Sequence, residues 1–134
     1  MIYADAGIIM RLIEGAAKVR EPIKLRLEEI RSQRPLILTS RLSRLECRCK
    51  PLQNKRERLL QLYDTFFVGP EVKIVEIGKM VVEKATEVRA SFGFKTPDAI
   101  HAATAILAGV SEFWTADKDF LRCPELKVKL FDAV

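Results

Sequence analysis

The sequence predicts an α/β fold: a central parallel sheet of five strands with helices on both faces. Short β-prone apolar runs alternate with longer stretches whose apolar residues recur at helical spacing, the signature of successive β-α-β units. No internal repeat, low-complexity tract or linker interrupts that alternation. The 134 residues, 49% hydrophobic and 31% charged, suit one folded unit over 1–134 and argue against extensive disorder.

Ile2-Tyr3-Ala4 is a short β-prone run stopped by Asp5, Ala6 and Gly7. Ile8, Ile9, Leu12 and Ile13 then recur at helical spacing. Pro22 fits the first turn of a second helix, where its missing N–H is no loss, and Ile23, Leu25, Leu27 and Ile30 follow among charged residues. Pro35 ends that helix, and Leu36-Ile37-Leu38 reads as a second strand covered on both faces. Thr39-Ser40 supplies the N-cap of a third helix carrying Leu42, Leu45, Glu46 and Cys49. Pro51 separates it from a longer charged helix that ends near Tyr63 to Phe67. Val72 to Ile77 reads as a strand and Gly78 to Arg89 as an amphipathic helix. Thr96-Pro97 opens an alanine-rich helix, Asp98 to Leu107, which Gly109 ends. Glu112 to Thr115 is a fourth strand, Ala116 to Asp119 a turn, and Val128 to Phe131 a fifth strand at the sheet edge.

No apolar run approaches the roughly 18 residues that cross a bilayer. The N-terminus meets Asp5 without a basic stretch, unlike a signal peptide. The expectation is a cytoplasmic chain with no membrane association. Three cysteines and one histidine cannot build a four-ligand zinc site in the usual way, so Cys47, Cys49 and Cys123 are expected as reduced thiols, with Cys49 buried. The net charge is +5, from 23 basic and 18 acidic residues. Setting four acids aside for a site leaves a still more basic exterior, which draws polyanions.

Those four acids fall where a site would form. Asp5 ends the first strand, and ligands of open parallel sheets gather at strand carboxyl ends; it could equally cap the helix that follows. Glu46 lies beside the stripe Leu42, Leu45 and Cys49, expected to be buried, with Arg41, Arg44 and Arg48 on the opposite, solvated face. A carboxylate near a core is costly unless it is used or paired, and the alternative is a rim residue paired with arginine. Asp98 starts the alanine helix, where the dipole favours an acid on its own account. Asp117 follows the fourth strand with Asp119 two residues on, although both types also form turns. Their convergence on one edge suggests a common site. Several carboxylates with almost no His or Cys select a hard cation, magnesium or manganese rather than zinc, and such ions serve in-line displacement at phosphorus. No Gly-rich phosphate loop or nucleophile elbow points to another phosphate enzyme. His101, the only histidine, stands one turn beyond Asp98 and reads first as a packing or supporting residue, with a hydrogen bond to a carboxylate or a contact to RNA as the alternatives.

The pattern resembles the PIN-domain family and, in size and layout, the VapC-type toxin ribonucleases. The segments that carry the resemblance are Ile2-Tyr3-Ala4-Asp5, Ser40 followed by Glu46, Thr96-Pro97-Asp98-Ala99-Ile100-His101-Ala102-Ala103-Thr104-Ala105, and Trp114-Thr115-Ala116-Asp117-Lys118-Asp119-Phe120. The last two are the specific ones. The resemblance implies metal-dependent cleavage of RNA, with Asp5, Glu46, Asp98 and Asp117 as catalytic and metal-holding acids. Asp119 is then an accessory, and Thr115 orients the acid or water beside it. It also implies a five-stranded parallel sheet, Mg2+ or Mn2+ as cofactor, a homodimer and a cognate antitoxin. Where the family often has polar residues after the first acid, this chain has Ala6 and Gly7. That departure motivates an alternative: a catalytically weakened PIN domain serving as an RNA-binding or assembly module. The apolar helix faces near 8–13 and 22–30, with a basic rim, are expected to serve dimerisation or an antitoxin segment.

Overall fold

Successive residues of a strand point to opposite faces of its sheet, and in this chain both faces are apolar. The computed structural model describes residues 1–32 and 35–131. Ile2, Ala4, Ile37 and Trp114 face one core with Ile8, Ile9, Ile23, Leu27, Cys47 and Tyr63. The intervening Tyr3, Leu38 and Phe113 face a second core with Val81, Val88, Phe94, Ala99, Ala102 and Phe120. Two-sided burial is the condition under which parallel sheets are stable.

In chain order the elements are β1 (Ile2–Ala4), α1 (Ala6–Glu14), α2 (Ala17–Glu29), β2 (Ile37–Ser40), α3 (Arg41–Gln53), α4 (Glu57–Phe67), β3 (Val72–Val75), α5 (Lys79–Phe92), α6 (Thr96–Ala108), β4 (Glu112–Thr115), a 3-10 turn (Lys118–Arg122) and β5 (Val128–Leu130). The strands form one sheet in the order β3-β2-β1-β4-β5, every neighbouring pair parallel. The α/β class, the five parallel strands and the flanking helices are as the sequence predicts. From β1 the chain builds the sheet in one direction through β2 and β3, then returns to add β4 and β5 on the other side. The crevice at the carboxyl ends of β1 and β4 is therefore a topological switch point, the usual ligand site of such sheets.

Several local expectations need correction. The buried face of α3 is Ser43, Cys47 and Pro51, whereas Leu45 is 64% exposed and Cys49 is exposed. Small side chains let α3 lie close to α1, with the Cys47 thiol 3.8 Å from the Ala6 carbonyl; larger ones would hold the helices apart. Arg41, Arg44 and Arg48 do not form a free solvated face. Arg41 pairs with Glu76, and Arg44 and Arg48 converge on Asp64 of α4 at 3.0 and 2.9 Å. Pro51 lies within α3 rather than after it, and Pro22 lies inside α2 rather than in its first turn. The faces expected to be free for partners are largely spent on the fold itself, since Ile8, Ile9, Ile23 and Leu27 are buried in the core.

Candidate active site

Asp5 follows the last residue of β1 and is 8% exposed. Both of its oxygens are engaged. Oδ1 accepts the Ile8 backbone N–H at 3.0 Å, capping α1, and Oδ2 accepts the Thr115 hydroxyl at 2.5 Å. The capping role and the site position thus coexist in one carboxylate. Thr115 in turn accepts the Asp117 backbone N–H at 3.0 Å, which ties the loop after β4 to the end of β1. The Asp117 side chain accepts the Asp119 N–H at 2.9 Å and caps the 3-10 turn. The Asp119 side chain is exposed and makes no hydrogen bond or ion pair among the described residues.

Helices between parallel strands run antiparallel to them, so α6, which leads into β4, begins at the carboxyl edge of the sheet. That brings Asp98, in the first turn of α6, to the same edge as Asp5 and Asp117. The start of α6 has no side-chain cap, so Asp98 is not consumed in capping. Glu46 reaches the edge from α3. Its Oε1 accepts from His101 Nε2 at 2.6 Å, an imidazole where an arginine partner was the alternative. On its other side the His101 ring meets the Tyr3 hydroxyl at 2.6 Å. His101 and Tyr3 are polar residues of this edge that the sequence did not place in the site. A lone histidine on the Asp98 face was a visible signal for the first; nothing marked Tyr3 beyond its place in β1.

The electrostatics show which groups share the crevice. Burial raises the Asp5 carboxyl above its ordinary value; the bonds from Thr115 and Ile8 and the nearby His101 oppose this, while Glu46 adds to it. Asp98 is raised by burial first, then by Asp117 and Glu46, against His101 and Lys95. Asp5, Glu46, Asp98 and Asp117 thus lie in overlapping fields. An all-oxygen set of mutually repelling carboxylates fits a hard divalent cation in donor chemistry. As the side chains stand, no group of three or more His, Cys, Asp or Glu among the described residues is arranged to hold a metal ion.

Beside Glu46 opens a cleft of about 690 Å³ between α1, α3 and the start of α4, lined by Arg11, Glu14, Lys50, Asn54 and Arg56 among others. Glu14 accepts a hydrogen bond from the Tyr63 hydroxyl. Arg11, Lys50 and Arg56 form no ion pair among the described residues, unlike Arg26, Arg41, Arg44 and Arg48. No helix of the described residues is long and apolar enough to cross a membrane.

The PIN domain family model matches residues 2–126. No curated protein matches the chain. Among solved structures, the chain is similar to VapBC2 from Rickettsia felis bound to a promoter DNA fragment, at TM-score 0.81 and 20% identity over 98% of this chain and 100% of that one. A toxin–antitoxin complex from Klebsiella pneumoniae matches at TM-score 0.73 and 21% identity over 100% of both chains. Mycobacterium tuberculosis VapC20, described as a toxin that cleaves the sarcin-ricin loop, matches at TM-score 0.75 and 18% identity over 96% of this chain and 99% of that one. At these identities the likeness is one of fold.

Proposed function

Because the chain belongs to the PIN domain family, we propose that it is a magnesium- or manganese-dependent endoribonuclease, the cytoplasmic toxin of a type II toxin–antitoxin pair. The observation that carries this reading is the overlap of four carboxylates at the switch point, two of them, Asp5 and Asp98, with raised pKa values. Asp5, Glu46, Asp98 and Asp117 would hold the cation. A bound divalent ion would neutralise phosphate charge and acidify the attacking water.

The chain's own residues supply the frame for that chemistry. Thr115 and the Ile8 N–H fix the Asp5 carboxylate. The start of α6 sets Asp98 where the helix dipole favours its charge. Arg11, Lys50 and Arg56 offer unpaired cations beside Glu46, suited to the phosphates flanking a scissile bond. The net charge of +5 favours the approach of RNA. An antitoxin and a second copy of the chain complete the proposal, supported by the toxin–antitoxin complexes among the similar folds.

The reading is tested by incubating single-stranded RNA with the protein in magnesium, in manganese and in chelator. Asp5→Asn, Glu46→Gln, Asp98→Asn and Asp117→Asn should each lower metal-dependent cleavage by orders of magnitude while far-UV circular dichroism stays unchanged. Full activity in any folded variant removes that residue from the site. RNA binding without cleavage in the wild type would instead favour the weakened module.

A further inference from the structure

Two hydrogen bonds link side chains from three elements into one chain: Tyr3 on β1, His101 on α6 and Glu46 on α3. Tyr3 is 0% and His101 3% exposed. The Tyr3 ring is stacked on Phe113, with centroids 5.1 Å apart and planes within 4°, so its hydroxyl cannot swing away. Burying a phenol and an imidazole is unfavourable unless their polar atoms are satisfied, and an apolar pair would fill the same space without that demand. The partners assign the tautomer. A phenol keeps its proton at neutral pH, so the Tyr3 hydroxyl is a donor. Its proton goes to Nδ1, which leaves the hydrogen on Nε2 facing Glu46.

We propose that His101, with its tautomer set by Tyr3, is a positioning residue that holds Glu46 Oε1 and so presents this carboxylate to the cation shared with Asp5, Asp98 and Asp117. The proposal rests on the nuclease reading above and deepens it. Asp5 is short and is fixed by Ile8 and Thr115. Glu46 has one more rotatable bond and sits in α3 with a single fixed partner, His101. Its Oε2 accepts no hydrogen bond among the described residues, which leaves that oxygen for a ligand. Hydrogen-bonded supports of this kind typically change metal affinity roughly 10–100-fold when they are lost.

Manganese titration by calorimetry on the RNA-free protein tests this without relying on turnover. His101→Leu should bind manganese roughly 10–100-fold more weakly. His101→Gln should stay within a few-fold of the wild type, because its side-chain amide can donate to the same Glu46 oxygen. Tyr3→Phe should fall between them, since the ring is then free to place its hydrogen on Nδ1 and turn a lone pair toward the carboxylate. Wild-type affinity in His101→Leu overturns the proposal, as does an equal loss in the Leu and Gln variants. If His101→Leu does not fold, Tyr3→Phe decides, and unchanged affinity there overturns it. A wild type that binds manganese but cleaves no RNA would overturn the nuclease reading and leave this role of His101 standing. A wild type that binds no manganese overturns both.

Discussion

The Thr115 hydroxyl donates to Asp5 Oδ2 at 2.5 Å across the seam where β1 and β4 pair. The same oxygen accepts the Asp117 N–H at 3.0 Å, so one buried hydroxyl satisfies an acid at the end of one strand and the backbone of the loop leaving the other. Asp5 Oδ1 then hands the linkage on to the first turn of α1. Four segments meet in three hydrogen bonds, and the crevice between β1 and β4 takes its shape from them.

Thr115→Val tests that linkage. Valine keeps the volume and the β-branched shape but leaves Asp5 Oδ2 and the Asp117 N–H without their partner. An unsatisfied buried group costs about 1–3 kcal/mol, so the variant should melt several degrees below the wild type. Asp5 should also lose the hydrogen bond that opposes its raised pKa. An unchanged melting temperature in chelator would show that the 2.5 Å bond contributes nothing to the folded state.

The strands are legible as short β-prone apolar runs bounded by turn and cap residues, because both faces of the sheet are buried, and β4 has the ends that the sequence predicts. The position of Asp98 was equally legible, since Thr96-Pro97 marks the helix start without reference to tertiary structure. Glu46 was singled out for a reason that does not hold. The stripe Leu42, Leu45 and Cys49 reads as buried because large apolar residues usually are, yet α3 packs through Ser43, Cys47 and Pro51. Close helix approach favours small side chains, and hydropathy does not register that preference. Glu46 precedes Cys47, the middle residue of the true stripe, so it still lies near the core. The Tyr3–His101–Glu46 chain joins residues 98 and 55 positions apart, a juxtaposition that spacing along one chain does not reveal.

The corrected face of α3 has a direct chemical consequence. Cys47 is 1% exposed and its thiol is pushed up to about 12, mainly by burial and then by Glu46 and Glu14. Burial also raises the Cys123 thiol. Cys49 is exposed. Since the thiolate is the nucleophile, iodoacetamide at about pH 8 should modify Cys49 in the native protein and spare the other two. All three cysteines should react in denaturant. Peptide mass mapping reads the outcome directly, and native labelling of Cys47 at the rate of Cys49 would contradict the packing of α3 against α1.

The last prediction concerns the charge held at the switch point. Asp98 has a folded-state pKa above the ordinary aspartate value, caused first by burial and then by Asp117 and Glu46. A raised carboxyl binds its proton more tightly folded than unfolded. Its favourable contribution is therefore complete below the unfolded pKa and is lost as pH rises through the folded one. Asparagine cannot ionise, so Asp98→Asn escapes that loss. In chelator the two proteins should melt alike in acid below the ordinary carboxylate range. The variant should gain on the wild type as pH rises through the raised value, and the difference should then level off. The dipole of α6 works against this trend by favouring the charged form, but burial, Asp117 and Glu46 together outweigh it. Manganese should reverse the order near neutral pH. A cation that binds only the folded state stabilises it in proportion to its affinity, and the wild type retains the acid that the variant lacks. Were Asp98 simply a helix-start acid, its removal would lower the melting temperature in chelator, and manganese would shift both proteins equally. Thermal melts of the pair across acid and neutral pH, with chelator and with manganese, separate the two cases.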